Sequence, residues 1–209
     1  MFENISTISE LLSLTSDHYG EKTAFSYFKD GKINYVSYSD FAQQVTLAAK
    51  SLISKGITKS KISIVSENSY YSIMWAYAVP ISGNVLVMLD NLTTIQDKAY
   101  MVEHSDTSCL IYSSMNQQFC DYIKENNKSV INTICIETDT ENFINSEPVV
   151  TLPDTDGAEL SYIFYTSGTT GKPKGIIHSQ INLLRDALYF SYNLKVKDTI
   201  FLMLPLSHI

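Results

Sequence analysis

Arginine is almost missing from this 209-residue chain: Arg185 stands alone, and the formal net charge is −7. A face that grips nucleic acid needs clustered arginine and lysine to neutralise phosphates, so the charge balance argues against that partner. It argues equally against attraction to anionic lipid surfaces. Cysteine is scarce as well. Cys109, Cys120 and Cys135 form an odd, widely spaced set without a C-x-x-C pair, which points away from zinc and dithiol redox sites. Cys109 beside Leu110-Ile111, and Cys135 within Ile134-Cys135-Ile136, read as small buried strand residues suited to a reducing cytoplasm. Long hydrophobic runs are lacking. The longest, Ile73 to Ile81, is interrupted by Pro80 and falls far short of the roughly 20 residues that span a bilayer, so membrane insertion is not expected. No basic segment followed by an apolar core opens the chain, so no signal peptide is expected. Internal repeats and low-complexity tracts are also missing.

What remains is an ordinary globular composition, 44% hydrophobic and 18% charged. This length suits one domain and buries roughly 70% of its extended surface, enough for a core without disulfides or metals. Nothing in the pattern sets an oligomeric state.

The elements alternate. Thr7-Ile8-Ser9-Glu10 is a capping box opening a short helix. Ala24 to Phe28 and Ile33 to Val36 read as strands joined by an Asp30-Gly31 turn. Ser37 to Asp40 then caps a helix carrying Phe41, Val45, Ala48 and Leu52, ending at Gly56. Strands follow at Ile62–Val65, Val85–Leu89, Leu110–Tyr112 and Val130–Ile136. Between them lie helices capped by Asn68, by Thr93 or Thr94, and one marked by Met115, Phe119, Tyr122 and Ile123. The unbroken apolar run Val85–Leu89 is expected of a strand buried on both faces. Such alternation predicts an α/β fold, built of βαβ units with a largely parallel sheet flanked by helices. Thr138 to Gly157, acidic and poor in apolar residues, reads as a solvated connecting loop. Ser179 caps a helix with Ile181, Leu184 and Leu188, and Ile200 to Leu204 reads as a last strand. The aromatic run Tyr70-Tyr71, Trp75, Tyr77 reads as helix core. His18 and His104 read as surface residues, and His178 as a neighbour of the capping Ser179.

The most informative segment is Tyr165-Thr166-Ser167-Gly168-Thr169-Thr170-Gly171-Lys172-Pro173-Lys174-Gly175. It follows the apolar run Tyr162-Ile163-Phe164-Tyr165, which reads as a buried strand, and a helix is expected after it. Three glycines, four hydroxyl side chains and two lysines lie within it. Glycine frees the main chain to approach a ligand, successive N–H groups form a concave anion site, and hydroxyls and lysines add donors and charge. Those are the parts a polyphosphate needs. The Walker pattern fails, because Pro173 stands where its second glycine belongs; the dinucleotide pattern G-x-G-x-x-G is absent too.

The segment resembles the phosphate-binding signature of the adenylate-forming, or AMP-binding, superfamily, and with the ending Leu204 to His208 the chain most resembles its acyl-CoA synthetases. Other stretches resemble the same family: Tyr35 to Phe41 its early "TYxEL" segment, Ala49 to Ile57 the helix end that follows, Val79 to Val87 the approach to the next strand, and Leu204-Pro205-Leu206-Ser207-His208 its "LPLxH" segment. Ser60-Lys61 and Leu89-Asp90-Asn91-Leu92 depart from the family pattern, which has Gly-Asp and a proline-rich step there. The resemblance implies that Thr166, Ser167, Gly168, Thr169, Thr170, Gly171, Lys172 and Lys174 hold the phosphates of ATP, that Thr166 also reaches Mg²⁺, and that His208 borders the acyl pocket. It implies a carboxylic acid, ATP and coenzyme A as reactants. The family's aromatic-x-Thr-Glu and Thr-Gly-Asp motifs do not occur in these residues. Residues 1–209 are therefore expected to be the N-terminal part of an AMP-binding domain, with its phosphate loop at 165–175, inactive by itself; the alternatives are an adenylation domain that loads a carrier protein and a non-catalytic truncated remnant.

Overall fold

The computed structural model of the chain describes residues 4–146, 148–166, 171–194 and 199–202. Helix α1 (Ile8–Tyr19) starts where the sequence places it. The Thr7 hydroxyl accepts the Glu10 N–H at 3.2 Å, and the Glu10 carboxylate accepts the N–H groups of Ser6 and Thr7 at 2.7 and 3.0 Å. These backbone donors hold the Glu10 carboxyl below its ordinary pKa. Strands β1 (Thr23–Lys29) and β2 (Lys32–Ser37) form a separate antiparallel hairpin. Its turn residues Asp30 and Gly31 have φ of 54° and 77°, the left-handed pair that the twist of a two-residue hairpin requires. Helix α2 (Tyr38–Ser54) is capped by Ser37.

The main sheet follows: β3 (Lys61–Val65), β4 (Val85–Leu89), β5 (Thr107–Tyr112), β6 (Asn132–Cys135), β7 (Leu160–Thr166) and β8 (Lys174–Ser179), in the spatial order β6-β5-β3-β4-β7-β8. The first five are parallel, and β8 lies antiparallel at the edge beside β7. The connecting helices are α3 (Tyr70–Ile81), α4 (Ile95–His104), α5 (Gln117–Asn126), α6 (Ile136–Ile144) and α7 (Gln180–Leu194). Strand alternation divides the core. Leu86 and Met88 of β4 join the layer built with α2, α3 and α6, while Val87 and Leu89 join the layer built with α4 and α5. Trp75 is fully buried in the first layer, and Tyr70 stacks on Tyr27 there at 4.8 Å. The three cysteines are buried thiols, and burial pushes that of Cys109 up to about 12.

Four expectations need correction. Ser69, not Asn68, caps α3, because Ser72 stands three residues beyond Ser69 and the two serines exchange hydroxyl-to-amide bonds at 2.9 and 3.0 Å. The acidic stretch after Ile136 is not all loop. Ile136, Thr140 and Phe143, at helical spacing, form the buried stripe of α6, and the charged residues face outward; the described residues from 145 to 157 remain irregular. The phosphate-loop candidate leads into strand β8 before α7 begins, so it closes a hairpin. Residues 199–202 carry no regular structure; Met203 and Leu204 lie outside the described residues.

Two buried bonds tie helix α6 to the core: the indole N–H of Trp75 donates to the Thr140 hydroxyl at 2.9 Å, and the Ser51 hydroxyl of α2 donates to the Phe143 carbonyl at 2.8 Å. Thr140→Val keeps the shape and leaves the indole donor unpaired. We expect a loss of about 1–3 kcal/mol, measured by urea unfolding with Trp75, the single tryptophan, as fluorescent reporter.

Candidate functional site

In an open parallel sheet, ligands bind beyond the carboxyl ends of the strands. The segment after β7 leaves the sheet at that edge, beside the ends of β3, β4 and β5. Two sequence-predicted residues are brought face to face there. Thr166 ends β7, Lys174 starts β8, and they are ladder partners. Opposed residues of an antiparallel pair share a face of the sheet. Since Tyr162 and Phe164 belong to the α2/α3 layer, alternation places Thr166 and Lys174 on that side. Both are exposed.

The glycines explain themselves locally. Gly171 has φ of 85° and an added Cβ meets nothing within 4 Å, so the backbone conformation demands it, not crowding. At Gly175 the reason is close approach: an added Cβ lies 3.2 Å from Ile163 Cγ2 and 3.4 Å from Tyr165 Cζ. Ser167, Gly168, Thr169, Thr170 and His208 lie outside the described residues.

Lys172 goes to the other face. Its ammonium sits 5.1 Å above the ring centre of Tyr100 on α4. Among the described residues neither Lys172 nor Lys174 has a carboxylate partner. Tyr165, which belongs to the α4/α5 layer, is also fastened to α4. Its hydroxyl lies 3.2 Å from the Met101 carbonyl and 2.9 Å from His104 Nδ1. A hydroxyl has one proton; with that proton on the carbonyl, Nδ1–H of His104 donates to the tyrosine oxygen. Burial is the first cause that raises the Tyr165 pKa, to about 12. His104 is exposed, as the sequence suggested, but its bond to Tyr165 was not visible there. The only signal was its position in the last turn of a helix.

A second polar group missed by sequence reading sits where β3, β4 and β5 end. Lys98 is 5% exposed, with its ammonium 3.3 Å from Asn116 Oδ1 and 3.4 Å from the Asn91 carbonyl. The Asn116 amide donates to Asn91 Oδ1 at 2.7 Å, and the Asn91 amide to Glu67 Oε1 at 3.1 Å. Burial lowers the Lys98 pKa, against the pull of Asp90 and Glu67. Each charge has partners, so the network fixes the loops that border the edge. A groove of about 420 Å³ between α1 and α2 is lined by Leu12, Ser16, Gln43 and Leu152, and takes no residue from the 165–175 segment.

The "AMP-binding enzyme" family profile matches residues 13–209. The chain belongs to that family. It is 23% identical to 4-hydroxybutyrate–CoA ligase 2 of Metallosphaera sedula over 97% of its own length and 40% of that protein's. It is 32% identical to the polyketide synthase–nonribosomal peptide synthetase ffsA of Aspergillus flavipes, over 69% of this chain and 3% of that protein. A crystal structure of a long-chain-fatty-acid–CoA ligase from Archaeoglobus fulgidus superposes with a TM-score of 0.86 at 18% identity, covering 100% of this chain and 43% of the other. The chain thus spans less than half the length of these relatives. The structural likeness establishes the shared α/β architecture.

The positive φ of Gly171 gives a direct check. Gly171→Ala puts a Cβ into a left-handed conformation and is expected to cost about 1–2 kcal/mol, measured by equilibrium unfolding.

Proposed function

We propose that this chain supplies the phosphate-binding region of an ATP-dependent carboxylate–CoA ligase. A carboxylate oxygen of the acid attacks the α-phosphorus of ATP, and the bond to the bridging oxygen breaks to release pyrophosphate. The thiol of coenzyme A then attacks the acyl carbonyl and displaces AMP. In this reading the hydroxyls of Thr166, Ser167, Thr169 and Thr170 and the amide N–H groups around Gly168 and Gly171 donate to the phosphate oxygens, and Lys172 and Lys174 offset their charge. Oriented donors aimed at developing charge supply most of the stabilisation in such a transfer. His208 borders the acyl group. The observation that carries the reading is the pair Thr166 and Lys174, exposed and opposed at the mouth of a glycine-bearing hairpin, beyond the carboxyl end of a parallel strand.

The donor set fits magnesium that arrives with the nucleotide. Thr166 offers one neutral oxygen, and among the described residues no three His, Cys, Asp or Glu side chains stand together to hold an ion by themselves. Thr166 would offer Mg²⁺ one oxygen ligand, and the ion would supply neutralisation of the charge that builds on the leaving pyrophosphate. The buried thiols support a reducing, cytoplasmic setting, and no helix among the described residues is long and apolar enough to cross a membrane.

A carrier-protein thiol in place of coenzyme A is the competing reading, and the likeness to a peptide synthetase favours it. The Leu204-Pro205-Leu206-Ser207-His208 segment favours the CoA ligase. Mg·ATP should bind the 209-residue chain more weakly than micromolar, compete with tripolyphosphate, and weaken roughly ten-fold further in Lys174→Met, all by calorimetry. Binding that is indifferent to tripolyphosphate or to Lys174 would count against the phosphate site. Carboxylate-dependent exchange of pyrophosphate into ATP should be undetectable with this chain alone. Exchange by the pure chain would show that these residues suffice for adenylation.

A further inference from the structure

The two lysines of the loop are not equivalent, and the difference lies in helix α4. Lys174 shares a face with Thr166, whereas Lys172 rests on Tyr100 on the opposite side. Tyr100 does not stand alone. Its ring lies 5.4 Å from that of His104, one helical turn on, and His104 meets Tyr165 ring-to-edge at 5.9 Å as well as through the 2.9 Å hydrogen bond. Tyr165 also reaches the Met101 carbonyl. A continuous path of contacts therefore runs Lys172–Tyr100–His104–Tyr165, and Tyr165 directly precedes Thr166. Both stems of the loop are fastened to one stretch of α4.

The geometry points to a brace. Tyr100 and His104 hold the two stems of the loop at a fixed span, and Tyr100 is a positioning residue that presents the Lys172 ammonium to a polyphosphate from the face opposite Lys174. This rests on the phosphate-binding reading of the loop. The physical case is entropic. A lysine free in solvent loses rotamer freedom when it closes on an anion, and a ring that already orders it removes part of that cost. The cation–π contact survives binding, because a phosphate approaches the ammonium from the side away from the ring face.

The test is a set of mutant cycles on the 209-residue chain, with Mg·ATP and inorganic tripolyphosphate as probes and unfolding midpoints recorded for every variant. Tyr100→Leu removes the ring face and is expected to raise Kd about two- to ten-fold. Tyr100→Phe keeps the ring and should bind like the parent chain, which a role as mere hydrophobic filler does not predict for one and deny for the other. The decisive comparison is coupling. In a Lys172→Met background Tyr100→Leu should have no further effect, while in a Lys174→Met background it should weaken binding by its full factor. Equal coupling to both lysines, or none to Lys172, overturns the brace. A measurement without substitution guards against misfolded variants: the Lys172 ε-methylene protons should show an upfield ring-current shift that persists when tripolyphosphate is added, and an unshifted resonance overturns the proposal. The two readings fail separately. If the parent chain binds neither probe, the phosphate site itself is wrong and the brace falls with it. If it binds both and Tyr100→Leu binds equally well, only the brace is wrong.

Discussion

Burial of the central strands on both faces is the constraint from which the rest of the structure follows. Once Leu86 and Met88 face one helical layer and Val87 and Leu89 the other, the chain needs helices on both sides of the sheet. Parallel pairing then aligns the carboxyl ends of five strands along one edge. That edge collects whatever leaves the strands: the Glu67 and Asn91 segments, Asn116, and the loop after β7. The site is a consequence of topology before it is a consequence of any side chain, and the side chains at the edge do the sorting. Lys98, Asn91, Asn116 and Glu67 satisfy one another, while Thr166, Lys172 and Lys174 are left without charge partners among the described residues. A network whose polar groups are all paired makes a rigid rim. Donors with no carboxylate partner among the described residues, at the same edge of the sheet, suit the proposed anion site.

The pattern of the sequence exposed most of this. Capping pairs at Thr7, Ser37 and Thr94, the Asp30-Gly31 turn and the unbroken run at Val85–Leu89 are local signals, and each marks an element that the structure contains. Other features were hidden for identifiable reasons. Helix α6 buries only Ile136, Thr140 and Phe143, and one of those three is a threonine whose value lies in a bond to Trp75, 65 positions away in sequence. No local pattern encodes a partner that distant. Strand β8 was masked because Ile176 and Ile177 are 44% and 67% exposed and neither alternation nor burial marks an edge strand of that kind.

At the site, the motif named the residues but not their division. Eight of its eleven positions, Thr166 to Lys172 and Lys174, read as one anion-binding set. A hairpin cannot use them that way, since alternation sends Thr166 and Lys174 to one side of the sheet while the contact with Tyr100 takes Lys172 to the other. Tyr100 and His104 carried no signal of their own, because a tyrosine and a histidine four apart on a helix are unremarkable until the strand end at Tyr165 is brought against them.

The division has a chemical sense. A polyphosphate carries its charge over several oxygens that point in different directions, and two cations on one side of it repel each other more than they neutralise the far side. Cations placed on opposite faces of the sheet, one beside a hydroxyl and one on an aromatic ring, surround such a ligand with less mutual repulsion and leave the glycine backbone to fill the space between. The cost is that two flexible side chains must be ordered from different layers of the fold. Helix α4 meets part of that cost in advance for Lys172, while the β7–β8 ladder fixes the backbone at Lys174. In the proposed phosphate site, contacts with α4 and the β7–β8 ladder hold the ends of the loop, and Gly171 supplies a left-handed backbone between them.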